Sequence, residues 1–202
     1  MAPTEPAPAT AGVPTPVPVL HTARLTLRGP TPADLDGFAA MNADPEVMRY
    51  IGAGKTRTRD QTRSSLERAT ADWDEKGYGL FSIDLRDGRT PEDTFVGWVT
   101  LAEPLFVPQL LPAVEIGWRL LRPRWGHGYA TEAARATLRF AFEDRGLDHL
   151  VSIRHPDNHA SRRVMEKLGL RHAHETTVPA TGQPVVVHII TREEYETADA
   201  AG

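Results

Sequence analysis

The chain has no cysteine among its 202 residues. That excludes disulfides, thiolate metal sites and a cysteine nucleophile. Lysine is scarce: Lys55, Lys76 and Lys167 stand alone, and the other basic residues are arginines. Positive charge is in the minority, with 23 Lys and Arg against 27 Asp and Glu and a formal net charge of −4. Nucleic-acid binders normally carry a basic footprint, so this balance argues against a nucleic-acid partner. No apolar run is long enough to cross a bilayer, so no membrane partner is expected either. The histidines are scattered, and their spacing suggests no metal site.

What remains is an ordinary globular composition, with 40% hydrophobic and 25% charged residues. The length suits one domain with a full core, placed at 20–197. Residues 1–19 are rich in Pro, Ala, Thr and Val. They lack a basic start and their prolines interrupt every apolar run, so they read as a disordered Pro/Ala-rich arm rather than a signal peptide. A cytoplasmic location is the resulting expectation. Residues 198–202 read as a frayed C-terminus.

Periodicity predicts strands over 22–28, 80–85, 94–101, 113–121, 149–154 and 184–190. Thr31-Pro32-Ala33-Asp34 has the form of a capping box with proline at the first helical position, opening a helix to about residue 42. Asp44-Pro45-Glu46 starts a short second helix through Tyr50, and 60–75 suggests a longer polar one. Asp87-Gly88 between two alternating stretches signals a hairpin. Ala130, Ala133, Ala134, Leu138, Ala141 and Phe142 mark one face of a helix over 129–145, closed by Gly146. Asn158 is positioned to cap a further helix ending at Gly169. The segments near 102–112 and 172–183 read as loops. The order of elements predicts an α+β domain on one mixed sheet, with a right-handed parallel crossover from 113–121 to 149–154.

The most informative stretch lies where that crossover begins. Val114 to Leu121 is an apolar strand, followed by Arg122-Pro123-Arg124-Trp125-Gly126-His127-Gly128-Tyr129-Ala130-Thr131-Glu132. A helix start offers unpaired N–H groups and a positive dipole end. Two alternate glycines let a phosphate approach the backbone closely. A phosphate or pyrophosphate ligand is the chemistry this implies.

Four segments in order carry a family resemblance: Leu25-Thr26-Leu27-Arg28 with Thr31-Pro32-Ala33-Asp34; Asp44-Pro45-Glu46-Val47-Met48-Arg49-Tyr50; Trp125-Gly126-His127-Gly128-Tyr129-Ala130-Thr131-Glu132-Ala133; and Asn158-His159-Ala160-Ser161 with Val164 and Glu166-Lys167-Leu168-Gly169. The chain resembles the GCN5-related N-acetyltransferase (GNAT) family, and within it the ribosomal-protein N-terminal acetyltransferase branch. That resemblance implies a three-layer fold. Its mostly antiparallel central sheet holds one splayed parallel strand pair and is flanked by helices. It also implies acetyl-CoA as co-substrate, no metal, and an amine acceptor, either a small molecule or a peptide. Carried onto this chain, Arg124, Trp125, Gly126, His127, Gly128, Tyr129 and Ala130 hold the pyrophosphate. The backbone of Trp118 and Leu120 pairs with the pantetheine arm, Gly117 suits a bulge, and Asn158 and Ser161 lie near the pantetheine and thiol. A homodimer is possible, since sheet edges in this fold often pair.

Two departures bear on chemistry. Pro123 stands where the family often has Gln or Arg, and Arg122 and Arg124 flank it. Met165 stands where many members place a tyrosine acid. Methionine cannot protonate a thiolate, which leaves Ser161, a water or no acid at all.

Glu115, on the donor-binding strand, is the candidate base, with a surface position or an ion pair with Arg119 as the plainer alternative. His155 is the second choice. His127 is expected to point outward and offer its backbone. Trp73, Tyr78 and Phe81 border the acceptor or pack the core. Arg57, Arg59 and Arg63 attract an acidic acceptor or form a solvated face. Two other functions compete: an acyl-CoA-binding sensor without catalysis, and an NADP-binding oxidoreductase reading Gly126-x-Gly128-x-x-Thr131 as a damaged dinucleotide fingerprint with Arg154 at the 2′-phosphate.

Overall fold

A computed structural model gives the fold and describes residues 17–88 and 94–200. Eight strands form one sheet: β1 (Leu20–His21), β2 (Leu25–Arg28), β3 (Leu80–Leu85), β4 (Phe95–Ala102), β5 (Val114–Leu120), β6 (His149–Arg154), β7 (Arg171–Thr177) and β8 (Pro184–Thr191). Their spatial order is β1-β2-β3-β4-β5-β6-β8-β7. Only β5 and β6 pair in parallel; the other neighbours are antiparallel. The helices are α1 (Leu35–Ala43), α2 (Pro45–Met48), α3 (Arg59–Lys76), α4 (Tyr129–Arg139), α5 (His159–Lys167) and α6 (Arg192–Ala200). One parallel pair in a mostly antiparallel sheet is not a doubly wound dinucleotide fold, which needs several parallel strands.

Alternation explains which side of β5 faces which layer. Ile116 and Leu120 join the main core with Leu25, Phe81, Val99 and Leu138. Ala133 and Ala134 are fully buried there, and their small size lets α4 lie close to the sheet. The odd residues Glu115, Gly117 and Arg119 face the other side. There α1, α2 and the start of α3 close a second core of Phe38, Met41, Val47, Leu66 and Phe95. Asp34 ties this layer down. Arg28 donates two bonds to its carboxylate, at 2.6 and 2.9 Å, and Ser82 Oγ donates a third at 2.9 Å.

Gly97 in β4 is required by close approach. A Cβ there would sit 2.2 Å from the Arg119 carbonyl oxygen. The register shifts beside it, where Val96 is skipped between Ile83 and Asp84 of β3. The bulge expected at Gly117 is therefore on the neighbouring strand, and β5 runs in unbroken register against β4.

Other expectations are corrected in the same way. Segment 172–183 is not all loop, because β7 occupies Arg171–Thr177. It is an edge strand exposed at nearly every position, so it has no apolar alternation to reveal it. Helix α6 was not expected and continues through Ala200. Its start did carry a signal: Thr191 and Glu194 bond each other's backbone N–H, the reciprocal pattern of a capping box. The long helix after Gly128 is α-helical only to Arg139 and continues as a π turn over Phe140–Asp144. The second helix stops at Met48. Residues 1–16 of the expected arm, residues 89–93 and residues 201–202 lie outside the described residues.

Candidate active site

The parallel pair is short. β5 and β6 are in register only at Val114 with Leu150 and Glu115 with Val151, after which the strands part. At the point of parting, buried Ser152 donates its hydroxyl to the Ile116 carbonyl at 2.8 Å. This bond shows that Ile116, and with it Trp118 and Leu120, turns its main-chain groups toward the gap. The groups of Trp118 face the gap. The Leu120 carbonyl is already taken by the Trp125 indole N–H at 3.0 Å, so only its N–H can serve a ligand.

Beyond Leu120 the chain makes a 3-10 turn over Arg122–Arg124 and enters the glycine loop. Gly126 has φ 79° and Gly128 φ 83°, values that L side chains rarely adopt. The Glu132 N–H bonds the Gly128 carbonyl at 3.1 Å. The amides of Tyr129, Ala130 and Thr131 precede it and have no carbonyl within the helix to bond. With the positive end of α4 behind them, they make an anion cradle. His127 does not aim its ring into that cradle. Its Nδ1 lies 2.7 Å from the Trp125 carbonyl, and the ring stacks on Tyr129 at 5.4 Å.

The loop has a brace the sequence reading did not find. Arg24, in the turn between β1 and β2, donates to the His127 carbonyl at 3.0 Å and to Glu132 at 2.7 Å, and lies over the Tyr129 ring at 4.7 Å. Thr22 Oγ1 donates to the same carboxylate at 2.6 Å. Burial works against the Glu132 charge, but these donors outweigh it and hold its pKa below the usual range. Nothing local in the sequence connects Arg24 to a loop a hundred residues away.

Glu115 sits at the base of the gap. Its pKa is pushed up to about 8 by burial, only partly offset by a hydrogen bond from the Ile153 N–H. The alternative ion pair with Arg119 does not form; Arg119 bonds elsewhere. Strand β6 leads through His155 to Asn158, whose side chain accepts from the Ser161 N–H at 3.0 Å and caps α5 as expected. His155 stacks on Tyr50 at 5.2 Å, and its Nδ1 accepts from the Asp157 N–H. Met165 is fully buried in the main core. A thioether carries no proton to donate, so this residue cannot act as the acid.

On the α1–α3 side, Arg119 Nη1 donates to Asn42 Oδ1 at 2.6 Å and its guanidinium lies 5.0 Å over the Trp98 ring. Its Nε is buried without a hydrogen-bond partner. Desolvation and the neighbouring Arg57 pull its pKa down to about 10. These residues line a cavity of about 80 Å³ together with Phe38 and Leu66. Trp73 and Phe81 do not border it; both are buried in the main core, stacked edge-on at 4.8 Å. Arg59 and Arg63 pair with Asp36 and Asp60 on the surface. Among the described residues no cluster of His, Asp or Glu could hold a metal, and no helix is long and apolar enough to cross a membrane.

Comparison with known proteins agrees with this architecture. A family model described as an acetyltransferase (GNAT) domain matches residues 24–171. The FsC-acetyl coenzyme A-N(2)-transacetylase of Aspergillus fumigatus is 32% identical over 194 residues, covering 88% of this chain and 78% of the relative. The crystal structure of an acetyltransferase from Agrobacterium tumefaciens superposes with a TM-score of 0.71 at 28% identity, over 89% of this chain and 97% of that one. A spermidine N-acetyltransferase from Vibrio cholerae, solved with CoA and spermine, shares the fold at a TM-score of 0.68 and 16% identity, over 87% of this chain and 99% of that one.

Proposed function

The chain belongs to the GNAT acetyltransferase family, and from that premise we propose that it moves an acetyl group from acetyl-CoA to a primary amine by direct attack while both are bound. The carrying observation is the gap between β5 and β6 that opens onto the glycine loop's free amides. Acetyl-CoA supplies an acyl group already activated as a thioester. The amides of Tyr129, Ala130 and Thr131 take the diphosphate, with Gly126 and Gly128 keeping the approach clear. Trp118 bonds the pantetheine arm through its main chain, as an added strand would. Holding donor and amine side by side supplies much of the rate.

Glu115 takes the proton from the amine, directly or through a water. At neutral pH its carboxyl is largely protonated in the free protein, because its pKa is about 8. An ammonium beside it favours the carboxylate, so substrate binding prepares the base. Ser161 Oγ, which bonds no described side chain, is the group available to relay a proton from a water to the departing thiolate, regaining its own from that water as it donates. The acceptor is a peptide or small-molecule amine. The Aspergillus and Vibrio proteins are named for different acceptors, so neither name carries over to this chain.

Calorimetry with CoA, followed by thiol release on adding a panel of amines, tests the reading. The expected result is binding, then release above the hydrolytic background. Binding without release by any amine would make the chain an acyl-CoA sensor. No affinity for CoA would end both readings.

A further inference from the structure

A buried arginine needs a counter-charge, and the chain shows how it provides one for structure. Arg28 is paired with both Asp34 and Asp84, at 2.6 and 2.7 Å. Arg119 is treated differently. Its partners are a neutral amide and an indole face, and its Nε bonds nothing. A second guanidinium, Arg57, lines the same cavity; it reaches only the Ser65 hydroxyl, at 3.3 Å. Among the described residues no carboxylate forms an ion pair with either. Arg57 stands exposed at the rim and Arg119 lies within, so the two guanidinium groups make the cavity electropositive, and an anion entering it relieves their repulsion.

The cavity has room for a small planar oxyanion and the methylenes next to it. A guanidinium fork matches a carboxylate in two parallel bonds. The cavity also lines up with the reacting end of the site. Glu115, Gly117 and Arg119 alternate along β5 and so share one face, and Gly117 places no side chain between the other two. Arg119 lies four residue steps along the strand from Glu115, about 13 Å between their Cα atoms.

Resting on the acetyl-transfer reading, we propose that the acceptor is an elongated amine carrying an oxyanion, of which a carboxylate is the best fit. Its amine meets Glu115 and its anion is received by Arg119, Asn42 and Arg57. A simple α-amino acid is too short to bridge the two ends; an ω-amino acid or a peptide with a free terminal or side-chain carboxylate spans them.

Matched acceptors test this. γ-Aminobutyrate, ε-aminocaproate and a set of dipeptides are each compared with their carboxamides. The acids should be preferred by about tenfold to a hundredfold in kcat/KM, mostly through KM, the size of a charge-assisted hydrogen bond gained. Arg119→Gln and the exposed Arg57→Gln should each draw that ratio toward one, and Arg119→Lys should keep part of it. Equal use of acids and amides by the wild type, or a ratio unchanged in both Gln variants, would overturn the proposal. A second readout does not need turnover. At constant ionic strength, acetate should raise the Tm of the wild type and not that of Arg57→Gln. If it does while no amine is acetylated, the anion site stands and the catalytic reading falls. If acetate has no effect on the wild type, the anion site falls.

Discussion

The loop that follows β5 and the α1–α3 face of the same strand offer opposite kinds of contact to a ligand. Past the C-terminal end of β5, residues 121–132 present a row of main-chain amides, and the side chains there mostly brace the loop itself. On the α1–α3 face, Asn42, Arg57, Trp98 and Arg119 converge from four separate segments, and their side chains make the site. Main-chain chemistry is encoded by spacing along a few residues, so it can be read locally. A side-chain constellation exists only once the fold has gathered it.

The strongest way to break this comparison is to spoil the amides without touching a charge. Gly126→Val with Gly128→Val forces two residues out of positive φ, at roughly 1–2 kcal/mol each for an L residue kept there, and crowds the anion's approach. Losing two charge-assisted hydrogen bonds of about 1.5–3 kcal/mol each predicts a drop in CoA affinity of about a hundredfold to ten-thousandfold. Calorimetry reads it directly. An affinity within threefold of the wild type would mean that the amides are not the cradle.

The same contrast explains what the sequence disclosed. The β5–loop–α4 unit, the Thr31 and Asn158 caps and the parallel crossover were legible, because each is a local pattern. Strand β7 was not, because an exposed edge strand of Arg171, His172, His174 and Glu175 needs no apolar alternation. Arg119 was read only as a partner for Glu115. Its orientation depends on Asn42 in α1 and Trp98 in β4, and no spacing in one chain reveals that meeting. Trp73 and Phe81 are open to either a site or a core role in the sequence, and the structure takes the core: Trp73 on α3 and Phe81 on β3 are both buried there.

Glu115 stands near the start of β5, upstream of both sites, and its ionisation offers a test with two signs. Glu115→Gln should lower kcat/KM by about a hundredfold, as for a lost general base. The wild-type rate should climb with pH toward the group's value of about 8, and the variant should lose that limb. Stability moves the other way. Below the ordinary value of 4.5 the carboxyl is neutral in both states and has no effect. As pH rises from there through about 8, the unfolded chain ionises first and the folded state loses stability. Thermal melts from about pH 5 to about pH 9 should therefore show the Gln variant gaining on the wild type, then running parallel to it. A constant difference across that range would mean that Glu115 is ionised in the fold.

Arg24 gives the smallest effect and the sharpest question, because it is a side chain distant in sequence that braces the loop whose contacts otherwise come from its backbone. Its contacts fix the His127 carbonyl, whose peptide carries the Gly128 N–H just ahead of the cradle, and tie the loop to the Glu132 carboxylate in the first turn of α4. About half of the side chain is solvent-exposed, so its ion pair adds at most about 1 kcal/mol to stability. Its effect should fall instead on ligand affinity, through the arrangement of the loop. Arg24→Ala should weaken CoA binding by about tenfold, the loss of one ordered hydrogen bond to a charged loop, and change the Tm by only a few degrees. Arg24→Lys keeps the charge but not the fork that reaches both partners, and should behave like Ala if geometry is what matters. Full affinity in the Lys variant would mean that Arg24 acts as a positive charge near the phosphates. Full affinity in both variants would mean that the glycine loop holds its shape unaided, leaving the loop and the side-chain cavity as different as they look.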